Sequence, residues 1–130
     1  MRDADFSDEF CRFIQTTIPA VEAAELLLAL SAQPDAWWDL GEFMGKLRPA
    51  LSMTDAEAAR YVELFQTRGL LATSPDKRFQ YRPGSETLAA HVGTLVQAYK
   101  ERPVTLIRMI YALRDAKIQS FADAFTLRRK

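Results

Sequence analysis

The sequence predicts a mainly α fold carrying one small β-hairpin. Three observations lead there. Apolar residues recur at three-to-four spacing through most of the chain, which is the period of a helix with one buried face. Capping-box spacings, a Ser, Thr or Asp with Glu three positions on, recur ahead of those runs, as in Thr54-Asp-Ala-Glu57. Period-two alternation stands out at Phe79 to Arg82, just after the turn-rich loop Ser74-Pro75-Asp76-Lys77-Arg78, and that combination marks a hairpin.

In chain order, a first helix is expected from Asp5 to Ile18. Ser7 can cap it, and Asp8 and Glu9 complement the dipole in its first turn. Phe6, Phe10, Phe13 and Ile14, with Cys11 beside them, form one apolar stripe. Later helices of the same chain or a second subunit must cover that stripe. Pro19 suits the first turn of a second helix, AVEAAELLLALSAQ, which Pro34 ends. Trp37 and Trp38 follow, read as core and rim packing rather than as a ligand cage. Asp39-Leu-Gly-Glu42 has capping-box spacing and would open a short helix over Leu40 to Leu47, closed by Pro49.

The clearest start is Thr54, whose box precedes a helix beginning near Asp55 and stopping at Gly69, the usual left-handed residue beyond a helix end. Leu70 to Thr73 and Phe79 to Arg82 are the two strands, the second with Phe79 and Tyr81 inward and Gln80 and Arg82 outward. Ser85 caps a helix to about Arg102, and Pro103 opens another. Ser120-Phe-Ala-Asp123 has capping-box spacing and predicts a last short helix burying Phe121, Phe125 and Leu127. No internal repeat or low-complexity linker interrupts the chain, so residues 1–130 read as a single domain. Residues 20–83 form its core, and 1–18 and 84–130 are flanking helices that could pair two subunits.

Composition narrows the class. With 130 residues, nearly half of them hydrophobic, the chain can bury one real core. The sole cysteine, Cys11, excludes an internal disulfide framework and any Cys-based metal cluster. The start MRDADFSDEF is acidic and lacks the apolar run of a signal peptide, and the longest apolar stretch, near Ala23 to Ala32, is too short to span a bilayer. A cytoplasmic protein is therefore expected, with no membrane partner.

The 17 basic and 17 acidic residues balance overall but not along the chain. Residues 1–47 carry 3 Lys/Arg against 9 Asp/Glu, 48–82 carry 6 against 4, and 83–130 carry 8 against 4. A basic footprint for nucleic acid could thus come only from the second half. Enzymatic machinery is sparse. His91 and Cys11 lie far apart in sequence, whereas a nucleophilic pair needs them within hydrogen-bond reach. The chain has no phosphate-binding glycine loop, HExxH, CxxC or GxSxG. No enzyme activity and no cofactor is expected.

The order of residues 20–83 resembles the bacterial winged helix-turn-helix transcription regulators, broadly of the MarR and PadR type. The likeness lies in VEAAELLLAL as a leucine-rich helix, WDLGEFMGKL as the start of a second, TDAEAARYVELFQTRG as a third, and LLATSPDKRFQYRP as the wing. It covers about half of the chain, and the phrase VELFQTRGLL carries most of it. The resemblance implies that Thr54 to Arg68 is a DNA-reading helix and that Pro75 to Arg78 is the wing tip. At 100° per residue, Ala58, Tyr61, Val62 and Phe65 take the core face, leaving Ala56, Arg60, Glu63 and Thr67 opposite.

Duplex contacts are then expected from Arg60 and Thr67 toward the groove and from Lys77 and Arg78 on phosphate. Arg82 would extend that patch, with Arg48 and Lys46 joining it from the second helix. Asp55, Glu57 and Glu63 oppose this use, because they repel phosphate. Two functions follow: a transcriptional regulator bound to double-stranded DNA, as a homodimer through the flanking helices, or a winged-helix module that binds a protein partner.

Overall fold

A computed structural model describes residues 6–47 and 53–114. The chain forms α1 (Asp8–Thr17), α2 (Val21–Ser31), α3 (Leu40–Leu47), α4 (Asp55–Thr67), β1 (Leu71–Thr73), β2 (Phe79–Tyr81) and α5 (Glu86–Glu101). A further helix, α6, occupies 103–114. The expected fold class, mainly α with one antiparallel hairpin, is what these elements make. Arg48, Pro49 and the helix anticipated near Phe121 to Leu127 lie outside the described residues.

Helix starts follow the side chains that cap them. Ser7 Oγ accepts the Phe10 N–H at 3.0 Å, and Asp39 Oδ2 accepts that of Glu42 at 3.2 Å. At α4 the box closes both ways: Thr54 Oγ1 accepts the Glu57 N–H at 3.1 Å, and Glu57 Oε1 accepts that of Thr54 at 2.9 Å. Ser85 Oγ does the same for Leu88 at 3.1 Å. Such a cap stabilises a helix by about 1 kcal/mol.

Pro19 departs from its expected place. It precedes α2 rather than opening it, because Ala20 is extended (φ −157°, ψ 162°) and takes the cap position. The proline also forces the residue before it out of helical space. Ile18 accordingly sits at φ −118°, ψ 85°, ending α1, and the chain bends by 101° between α1 and α2. Pro103 behaves as anticipated: the Arg102 carbonyl accepts the Leu106 N–H at 3.0 Å, so the proline occupies the first helical position of α6.

The core is organised around α2, whose Ala23, Ala24, Leu26, Leu27 and Leu30 are fully buried. It packs against α4, α5 and β2. The stripe on α1 is covered within the same chain. Phe10, Phe13 and Ile14 are buried, α1 lies on α5, and the rings of Phe13 and His91 stack at 5.1 Å with 24° between planes. The Cys11 thiol approaches the Met109 sulfur of α6 at 3.7 Å, so α1 is tied to both later helices. Among the described residues, no single helix is long and apolar enough to cross a membrane.

Candidate nucleic-acid interface

The end of α4 sets the geometry of the hairpin. Gly69 has φ +81°, the left-handed conformation that side chains disfavour. Its N–H donates to the Gln66 carbonyl at 3.1 Å, and the Leu70 N–H donates to the Phe65 carbonyl at 2.9 Å. This pair of bonds is the Schellman closure of a helix, and its hydrophobic contact is supplied by Phe65 and Leu70, both fully buried. The Gly69 carbonyl then accepts the Gly84 N–H at 2.8 Å, so entry to and exit from the hairpin share one residue.

The strands pair antiparallel with Leu71 opposite Tyr81, Ala72 opposite Gln80 and Thr73 opposite Phe79. The tip is a four-residue turn in which the Lys77 N–H donates to the Ser74 carbonyl at 3.0 Å. Lys77 itself is left-handed (φ 68°), which returns the chain toward β2. Ser74 Oγ accepts the Arg78 N–H at 3.0 Å and its hydroxyl donates to the Asp76 carboxylate. Lys77 and Arg78 are exposed there, as expected. Arg78 is not isolated, for its Nε lies 3.4 Å from Asp76 Oδ2. The Ser74 hydroxyl, and to a lesser degree the Arg78 charge, holds the Asp76 carboxyl below its usual range.

On α4, Ala58, Val62 and Phe65 are buried and Tyr61 half-buried, whereas Ala56, Arg60, Glu63 and Thr67 are all exposed. The helical wheel therefore gave the correct outer face. The flanks of that face differ. Gln66 Nε2 donates to Thr73 Oγ1 at 3.0 Å, tying one flank to β1. On the other, Arg60, Tyr61 and Leu64 border a 420 Å³ depression with Pro19, Ala20 and Arg114. Burial raises the Tyr61 pKa, and Glu22 and Glu57 add to the rise while Arg60 and Arg114 oppose it. Arg60 is thus turned toward the α1–α2 corner and Arg114 of α6 rather than toward the hairpin.

The remaining expected contacts separate. Arg82 is exposed just beyond β2, with its backbone N–H donated to the Leu70 carbonyl at 2.9 Å. Lys46 places its ammonium 5.5 Å from the Trp38 ring centroid, a cation–π contact that competes with any phosphate contact.

Two features were missed from sequence. Trp38 forms an antiparallel bridge with Phe79, its N–H donating to the Phe79 carbonyl at 2.8 Å and its carbonyl accepting the Phe79 N–H at 2.9 Å. A third, one-residue strand between α2 and α3 therefore lines β2. Trp38 is buried against Phe43, at 5.1 Å, whereas Trp37 remains 39% exposed, which divides them into the expected core and rim. Gln80 was expected outward but is buried, with Nε2 donating to the Asp35 carbonyl at 3.1 Å, because the α2–α3 connection covers the second face of β2. Only the two aromatics at 37–38 hinted at this, and two residues are too few to show a period.

Among the described residues, no group of three or more His, Cys, Asp or Glu side chains is placed to hold a metal ion. No family model, curated protein or solved structure matches the chain.

Proposed function

We propose that this chain is a cytoplasmic winged helix-turn-helix regulator that binds double-stranded DNA through α4 and the hairpin tip. The observation that carries the reading is the Trp38–Phe79 bridge. It yields the order helix, strand, helix, helix, strand, strand over residues 21–81, with α4 capped at its start and locked to the hairpin at its end. A helix about 10–12 Å wide fits a major groove about 12 Å wide. In that pose Thr67 faces the groove, Arg60 lies at its edge on the side of the α1–α2 corner, Lys77 and Arg78 lie along phosphate, and Arg82 extends the basic patch.

The test is duplex binding followed by fluorescence anisotropy as salt is raised. Affinity should fall steeply, with a slope of about −0.9 per phosphate contacted. The double variant Lys77→Glu and Arg78→Glu should abolish binding while the circular dichroism melt is retained. Undiminished binding by that variant would remove the hairpin from the interface.

A protein-binding role is the second reading. It is favoured by the exposed acids Asp55 and Glu63 on α4, which oppose phosphate, and by exposed Trp37. Pairing of two chains through the flanking helices is supported by exposed Val96 on α5 and by Val104 and Tyr111 on α6, the latter two 61% and 49% exposed. A mass independent of concentration in light scattering would rule that pairing out.

A further inference from the structure

We propose that Arg114, on α6, joins Arg60 to form a phosphate-contacting site on the flank of α4 opposite the hairpin. The inference rests on the DNA-binding reading and adds to it a second grip, on the far strand of the duplex. Gln66 and Leu64 are two positions apart and hence about 200° apart around α4. Gln66 faces β1 through its bond to Thr73, and Leu64 faces the depression bordered by Arg60, Tyr61 and Arg114. A helix that fills the major groove has a phosphate rail on each side. The hairpin tip serves one rail. On the other, these two guanidiniums are the cations bordering the depression.

Guanidinium suits that role because its fork of N–H donors matches phosphate oxygens. Both arginines are exposed and border the same depression beside Tyr61, and their charges oppose the rise of its pKa. The charges of Glu22 and Glu57 act on the Tyr61 hydroxyl in the opposite sense. Glu57 is committed to the α4 start through its bond to the Thr54 N–H. Glu22, exposed in the first turn of α2, opposes a phosphate there together with the Glu57 charge, which its hydrogen bond does not remove. A site built this way would couple α6 to duplex binding, although α6 lies outside the α2-to-hairpin unit.

The experiment compares the parent protein with Arg114→Ala and with Lys100→Ala, which removes an exposed charge elsewhere on the surface, using one mixed-sequence duplex across a salt series. Loss of one phosphate contact makes the salt slope shallower by about 0.9. From about 50 to about 200 mM salt, the affinity of Arg114→Ala should therefore drop about 3.5-fold less than that of the parent. Arg114→Lys should restore most of the slope, and Lys100→Ala should leave it unchanged. An unaltered slope in Arg114→Ala, with the Lys77 and Arg78 double variant still failing to bind, overturns this site and leaves the DNA reading intact. Equal changes in Arg114→Ala and Lys100→Ala overturn it as well, since net charge then explains both. A parent protein that binds no duplex at any salt overturns the DNA reading and this site together.

Discussion

Replacing Gly69 with alanine should destabilise the protein, whereas the same replacement at Gly93 should stabilise it. At Gly69 an added Cβ would meet Leu88 Cδ1 at 3.7 Å, an ordinary contact, so space is not the issue. The cost comes from φ +81°. Holding an L-residue left-handed costs about 1–2 kcal/mol. Alanine's stiffer unfolded chain offsets about 0.4–1 kcal/mol of that. The net loss is about 1 kcal/mol, which for a chain of this size lowers Tm by about 3–5 °C. Gly93 lies inside α5 with nothing within 4 Å of a new Cβ. There alanine gains about 1 kcal/mol of helix propensity. Urea unfolding of both variants, read at constant m-value, gives the two numbers. A neutral or stabilised Gly69→Ala would refute the assignment of Gly69 as the obligatory turn between α4 and the hairpin. Because Gly69 also receives the Gly84 N–H, that variant should lose more duplex affinity than its stability alone explains.

Two other outcomes follow from the charges. Asp76→Asn removes the carboxylate 3.4 Å from Arg78 and should tighten duplex binding several-fold at low salt, with a steeper slope; weaker binding would show that Asp76 instead positions the tip. Above the ordinary tyrosine value of 10.0, stability should decline. Tyr99 is raised by its hydrogen bond to Glu25, made at 2.8 Å, and Tyr61 and Tyr81 chiefly by burial. In each case the unfolded chain ionises first, so the contribution is full below pH 10 and is lost as pH rises through the raised folded values. Urea midpoints at about pH 9 and about pH 11 measure the loss, and Tyr99→Phe should make it smaller.

Local chemistry was legible in the sequence and long-range pairing was not. Ser7, Asp39, Thr54 and Ser85, and Gly69 in closing α4, act on residues close to them in sequence, so their types and spacings announce the helix ends the structure contains. Helical periodicity likewise separated the inner and outer faces of α4. Periodicity shows that the α1 stripe is buried without showing against what, so its partner is not legible in the sequence. Trp38 could not be read as a strand, since its pairing is with a residue about forty positions away. The direction of Arg60 was hidden for the same reason: Pro19 and Arg114, which share its depression, are distant in sequence. The Asp76–Arg78 pair was within reach, two residues apart in a loop read only for its turn residues and basic charge.

The Trp38–Phe79 bridge also bears on how the molecule opens. Joining two points about forty residues apart costs about 3 kcal/mol of loop-closure entropy by the logarithmic law. Two backbone hydrogen bonds alone do not offset that. The bridge therefore depends on the packing of α3 and α4 around it, with the Phe43 ring 5.8 Å from Phe79 and 5.1 Å from Trp38. In hydrogen-exchange terms the Trp38 and Phe79 amides should behave as one cooperative unit with α3 and α4. The Lys77 amide, bonded only within the exposed turn, should exchange by local fraying. The hairpin thus has a tip free to adapt to a partner and a base that opens only when the helices beneath it do.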